Sequence, residues 1–245
     1  MRIMRKLVLA ALGLCLSVVL FAQSDSSVKS SILSSRGLPK GNDHFMIQVG
    51  YTQWAGRPDT VTTSGIPRSL NIYFMLAFPF RTNPHWSAAV GLGVGSDNIY
   101  FKNMDIRIRD VDTRIKFIDA TNAQHYKKYK LTTDYLDVPV ELRFTSRPND
   151  DNRSLKFALG AKVGLLINAK TKGKTLLNAA GDTINEYKEK EVSKKFFNRQ
   201  RLVATGRVSY GHFGLFATYQ ISQLFKENMG PNVHPFTIGI ALSGL

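Results

Sequence analysis

Asp137 and Glu141 stand four residues apart in the stretch YLDVPVELRF (135–144), and Arg143 follows two residues on. Leu136, Val138, Val140, Leu142 and Phe144 alternate there with Asp137, Pro139, Glu141 and Arg143. Successive side chains of a strand point to opposite faces, so the pattern predicts one apolar face and one charged face. Two carboxylates on an enclosed face need cations beside them, because an isolated buried charge is too costly. Arg143, Lys162, Arg201 and Arg207 occupy polar positions of this and other alternating segments and are the candidate partners. The chemistry predicted is a network of ion pairs. Pro139 has no N–H for its ladder, so it predicts a bulge or a local gap in pairing.

Other residues with chemical potential give weaker patterns. VGLGVGSDN (90–98) has glycines at alternate positions, but it continues a strand pattern and opens no helix, so it is not a nucleotide loop. Its glycines are expected on a crowded inner face. The five histidines are scattered, with no pair at helical metal spacing. Asp110 and Asp112 sit among Arg107, Arg109 and Arg114, which favours solvated ion pairs over a cation site. A serine–histidine–acid set using His125 or His234 would suit an enzyme that modifies lipid A, since triad members need meet only in space. No G-x-S-x-G elbow accompanies them. No catalytic, cofactor-binding or metal-ligating residue is assigned.

These residues must be positioned by the chain around them. The sequence has 245 residues, 43% of them hydrophobic, and a formal charge of +15. Residues 1–22 (MRIMRKLVLAALGLCLSVVLFA) have a basic start, an apolar stretch and a small final residue, as a cleavable secretory signal does. An uncleaved anchor helix is the alternative, but the run is short for one and polar QSDSSVKSS follows. The single cysteine, Cys15, lies in this segment, so a mature chain would have no disulfide and no thiolate site. Ser-rich residues 23–43 predict a flexible periplasmic lead-in. Beyond residue 22 no apolar run approaches the roughly 20 residues of a spanning helix.

Alternation of the kind seen at 135–144 recurs eight times between residues 44 and 243, starting near Phe45, Leu70, Trp86, Leu136, Leu155, Leu202, Phe213 and Phe236. Connections alternate between short (81–84, 146–154, 211–212) and long (54–68, 96–130, 169–199, 224–234). An even strand count with that asymmetry predicts an all-β fold, an eight-stranded antiparallel up-and-down transmembrane β-barrel with long extracellular loops. Phe45, Tyr51, Phe80, Trp86, Phe144, Tyr210, Phe213 and Phe236 near strand ends would form interfacial girdles. A soluble lipocalin-like barrel would exchange the faces and expose Asp137, Glu141, Lys162 and Arg207. A narrow eight-stranded lumen is filled by side chains, so ions should cross it poorly.

The long loops are basic. Lys127, Lys128 and Lys130 beside Tyr126 and Tyr129 form a candidate surface for the phosphates of lipopolysaccharide. Lys170, Lys172, Lys174, Lys188, Lys190, Lys194 and Lys195 follow in 169–199, where Glu186, Glu189 and Glu191 would dilute them. A solvated surface is the plainer reading. Nucleic acid is not an expected partner of an exported chain.

DYLDVPVELRF (134–144), YQISQLFKENMGPNVHPFTIGIAL (219–242) and the FAQ ending of the signal together resemble the PorT-like outer-membrane barrels of type IX secretion. The chain ends in Leu245, where a terminal aromatic is common in such barrels. The resemblance implies a non-enzymatic role in export of cargo proteins to the cell surface, with other secretion-machine proteins as partners. It brings no catalytic residues. A structural or adhesive small barrel is the alternative, and a lipid A-modifying barrel enzyme comes third.

Overall fold

The computed structural model describes residues 45–244; the predicted signal (1–22) and lead-in (23–43) lie outside them. The strands are β1 (Phe45–Ala55), β2 (Arg68–Pro79), β3 (Trp86–Phe101), β4 (Met104–Arg107), β5 (Lys116–Asp119), β6 (His125–Thr145), β7 (Leu155–Leu177), β8 (Thr183–Val192), β9 (Gln200–Tyr210), β10 (Phe213–Gln220) and β11 (His234–Ser243). Eight of them form a closed antiparallel ring in the order β1-β2-β3-β6-β7-β9-β10-β11. β11 pairs with β1 from Met46↔Ser243 to Ala55↔His234, which closes the seam and leaves no edge for lipid to meet.

Period-2 side chains decide the faces. Leu70, Ile72, Phe74, Leu76 and Phe78 of β2 are exposed, while Ser69, Asn71, Tyr73 and Met75 between them are buried. The same alternation runs round the ring. A continuous apolar exterior of this extent is a lipid-facing surface. Ten steps from Leu70 to Phe80, at about 3.3 Å each and tilted about 40°, give a belt about 25 Å tall. Phe45, Phe80, Trp86, Phe144, Tyr210 and Phe213 gather at the short-turn end, with Trp86–Phe144 ring centroids 5.2 Å apart. Tyr51 and Phe236 mark the opposite end. Short turns lie on the periplasmic side of such barrels and long connections outside. The two-residue turn between β9 and β10 uses Gly211 at φ +56°, where a Cβ would stand 2.6 Å from the Asn152 carbonyl oxygen.

Pro139 faces inward. On the β3 side, paired residues run from Trp86↔Phe144 to Val90↔Val140 and resume at Gly93↔Asp137, so the ladder has a gap beside the proline. A Cβ on Gly91 would lie 3.2 Å from the Pro139 ring and 2.2 Å from the Met75 sulfur. Gly93 is as crowded, 2.1 Å from the Ile72 carbonyl oxygen. Only glycines leave room at these inner positions.

The structure differs from expectation in the long connections, much of which is sheet. β3 extends to Phe101, β6 begins at His125 and β7 runs to Leu177, all beyond the apolar belt. β8 adds outside the ring to the upper half of β7, from Lys170↔Val192 to Leu177↔Thr183. One residue makes this extension work. Asp134 opposes Asn168 and Tyr135 opposes Leu166, so Ile167 is bulged. Below the bulge the odd residues of β7 face out; above it, Lys170, Lys172 and Lys174 do. The inner face of the extension becomes apolar. Tyr129 and Leu131 join Trp54, Phe101, Ile106, Phe196, Phe197 and Phe225 in a buried core that covers the outer mouth of the barrel.

Candidate functional site

Two clusters of charge occupy the lumen. In the outer one the Arg201 guanidinium spans two carboxylates. Its Nε and Nη2 donate to Asp137 at 3.0 and 2.7 Å, and Nη1 donates to Asp97 at 2.9 Å. The Tyr73 hydroxyl donates to Asp137 at 3.0 Å, and the Lys162 ammonium donates to that hydroxyl at 3.0 Å. Arg201 also lies over the Tyr135 ring, 3.8 Å from its centroid. Four charges therefore balance: Asp97 and Asp137 against Lys162 and Arg201. Glycines make the room, since a Cβ on Gly164 would fall 2.2 Å from an Asp137 oxygen and one on Gly95 2.8 Å from Arg201.

Four residues along β6 toward the periplasm is the second cluster. Glu141 accepts from Arg143 at 2.8 Å and from Arg207 at 3.1 Å, and Arg207 also reaches the Ser243 hydroxyl at 3.3 Å. Lys156 is buried near the same end. The six charged residues proposed for the lumen are thus all buried. They divide between two clusters, Asp137, Arg201 and Lys162 in one and Glu141, Arg143 and Arg207 in the other. Asp97, Tyr73 and Tyr135 were not anticipated. Asp97 continues the inward positions of Gly93 and Gly95, so alternation carried one more turn of the pattern would have placed it inside.

The outer face of the projecting sheet has a different character. Lys128 of β6 opposes Lys174 of β7, which opposes Lys188 of β8. One pair of residues lower, Lys130, Lys172 and Lys190 form a second row. Lys170 and Arg68 lie lower still, above the lipid-facing side chains. The acids expected to dilute this cluster do not all share its face. In the stretch KEKE (188–191) the lysines point out, while Glu189 binds the Tyr126 hydroxyl and lines the inner cleft with Glu191. Glu186 stays on the outer side, in a cleft of about 290 Å3 that Lys127, Lys128, Lys174 and Lys188 also line. Lys130 is held by the Asn98 side-chain oxygen at 2.7 Å, and Lys170 by Asp134 at 2.8 Å. Partial burial, then Lys172 and Lys170, pull the Lys130 ammonium below the ordinary lysine range. Like charges directly opposite one another destabilise a sheet.

His125 and His234, the histidines weighed for lipid A chemistry, are far apart in the fold. His125 binds the Ala123 carbonyl at 3.0 Å. His234 binds the Gln220 carbonyl and the Asn232 side chain and stacks on Tyr219. The Asp110–Asp112 backbone is gripped by Lys195, whose ammonium donates to three successive carbonyls at 2.8–3.0 Å. Asp112 pairs with Lys116 at the surface.

The family described as outer membrane protein beta-barrel domain matches residues 21–226. Two solved structures of Ail, the attachment invasion locus protein of Yersinia pestis, are similar. One, determined in complex with the heparin analogue sucrose octasulfate, is 18% identical with a TM-score of 0.33 and covers 81% of this chain and 96% of that chain. The other is 15% identical with a TM-score of 0.34 and covers 82% and 97%. No curated protein matches the chain.

Proposed function

The chain belongs to the outer membrane protein beta-barrel domain family, and from that premise we propose that it is a non-enzymatic, non-conducting component of a type IX protein secretion machine. The observation that carries the non-conducting reading is the closure of the barrel. Buried ion pairs fill the lumen and an apolar core covers its outer mouth. A translocating protein has no path there, so the chain acts through its surfaces. The secretion role rests on the resemblance in 134–144 and 219–242. Residues of those stretches hold the closure: Asp137 and Glu141 anchor the two lumen clusters, and Leu224 and Phe225 sit in the cap. The partners proposed are other secretion-machine proteins on the periplasmic turns or the projecting sheet, and lipopolysaccharide in the surrounding leaflet. Delivery by cleavage after residue 22 belongs to the same proposal.

The projecting sheet favours a second reading, a structural or adhesive small barrel, because β6, β7 and β8 reach well above the lipid belt. Deletion of the gene followed by proteomics of the medium and cell surface separates the two. Accumulation of signal-bearing cargo in the periplasm, with normal outer-membrane composition, supports secretion. Intact export with poor adherence supports the second reading, and intact export alone removes the secretion proposal.

A further inference from the structure

Neither the lumen clusters nor the closed cap accounts for the lysines of the projection. Strand pairing places Lys128, Lys174 and Lys188 in one row and Lys130, Lys172 and Lys190 in the next, all on one face of three adjacent strands. Neighbours in a row are about 5 Å apart and the rows about 7 Å apart. This arrangement is not a by-product of a basic composition. The Ile167 bulge is needed to turn the β7 lysines outward, and the alternation in KEKE (188–191) sends Lys188 and Lys190 to this side and Glu189 and Glu191 to the other, which leaves Glu186 as the β8 acid beside the upper row. The sheet bears like charges in register, which weakens it unless an anion lies across them.

Height identifies the anion. Leu136 is the last large apolar residue of β6 on the lipid side. At about 3.3 Å per residue and a tilt of about 40°, Thr132, in a ladder row with Lys170 on one side and, beyond Asn98, Arg68 on the other, stands about 10 Å above it, and Lys130 and Lys128, the β6 members of the two rows, about 15 and 20 Å above it. The lowest cations lie at the level of lipid headgroups and the rows at the level of the sugars attached to them. The face is continuous with the lipid-facing surface below, so its nearest neighbour in the membrane is lipid of the outer leaflet. We propose that this six-lysine grid is a binding site for the phosphorylated sugars of lipopolysaccharide, docking one such lipid against the β6–β7–β8 face. The inference rests on the outer-membrane placement and is independent of the secretion role.

The test uses the full protein extracted from outer membranes in a neutral detergent and titrated with purified lipopolysaccharide. The variant Lys128→Gln, Lys172→Gln, Lys174→Gln, Lys188→Gln, Lys190→Gln should bind more than about tenfold more weakly, with a shallower salt dependence, since each lysine near an anionic surface contributes measurably. A control, Arg81→Gln with Arg147→Gln and Arg153→Gln at the periplasmic turns, should bind as the wild type does. Lipopolysaccharide stripped of phosphate should bind the wild type as weakly as the intact lipid binds the variant. Should the fivefold variant fail to fold, Lys172→Gln with Lys190→Gln and Lys174→Gln with Lys188→Gln each remove part of one row and should each lose part of the affinity. Unchanged binding by the lysine variants, equal losses in the control, or indifference to phosphate would overturn the site. Displacement of the lipid by equimolar heparin would assign the grid to a soluble polyanion and overturn the lipid assignment. Because binding is read and export is not, failure here leaves the secretion proposal standing, and the reverse holds too.

Discussion

Asp137→Asn removes one charge from the lumen while keeping the side chain's size. In the native barrel this carboxylate accepts two hydrogen bonds from Arg201 and one from Tyr73. The amide retains one acceptor oxygen and turns an N–H2 donor toward groups that are themselves donors. Removing one partner of a buried ion pair costs about 3–5 kcal/mol. Arg201 keeps Asp97 at 2.9 Å, which places the expected loss near the lower end, about 3 kcal/mol, or roughly a hundredfold in the folding equilibrium. The surplus charge left behind is positive, shared between Arg201 and Lys162. Adding Lys162→Met restores balance around the remaining Asp97–Arg201 pair and should recover about 1 kcal/mol or more. Urea unfolding of the barrel in lipid vesicles, followed by fluorescence of Trp54 and Trp86, measures both. A single-variant loss under about 1 kcal/mol, or a double variant no more stable than the single, would refute the assignment of Asp137 as the anchor of a balanced cluster.

Gly164→Ala should destabilise the barrel by about 1–3 kcal/mol, because its methyl group collides with the Asp137–Arg201 pair. Gly206→Ala, whose new methyl would meet nothing closer than Leu159 at 3.9 Å, should be nearly neutral in the same unfolding assay. Phe225→Ala removes a ring packed against Trp54, Phe117 and Phe197; limited proteolysis should then cut the cap, while slow migration of the unheated barrel on gels persists. Lys195→Gln should free the 110–112 backbone and raise its hydrogen exchange, with the ring strands unaffected. In planar bilayers the protein should show no large steady conductance, and a large one would contradict the closed lumen.

Membrane-embedded parts of the strands were legible because lipid imposes a strict rule there. Outward residues must be apolar, so Leu136 to Phe144 and Leu70 to Phe78 alternate visibly. Above the belt the rule inverts. In KKYKLTTD (127–134) the outward residues are Lys128 and Lys130 and the inward ones are Tyr129 and Leu131. Water outside and an apolar core inside produce the opposite polarity, and a search for oily exteriors reads such a segment as loop. Hence β8 and the upper halves of β3, β6 and β7 went unseen. Asp97 was missed for the same reason, because it falls within the expected connection 96–130. Pairing of Asp137 with Arg201 and of Glu141 with Arg207 joins residues more than 60 positions apart, and periodicity says which face a side chain occupies but not which neighbour it meets. The charge segregation within KEKE becomes readable only once that stretch is known to be a strand.

The bulge at Ile167 governs how this protein's projection can change length over generations. Straightening the bulge with its residue retained would slip the pairing by one and reverse every side chain above it, driving Lys170, Lys172 and Lys174 into the cap and turning Ala169 and Thr171 to water, whereas removing Ile167 itself would leave those faces as they are. A single-codon insertion or deletion in the upper part of β7 is therefore a change of surface, not merely of length. Two-codon changes keep each face intact and only raise or lower it. Descendants of this sequence should vary in height by steps of two residues, or else carry a compensating bulge beside any odd step.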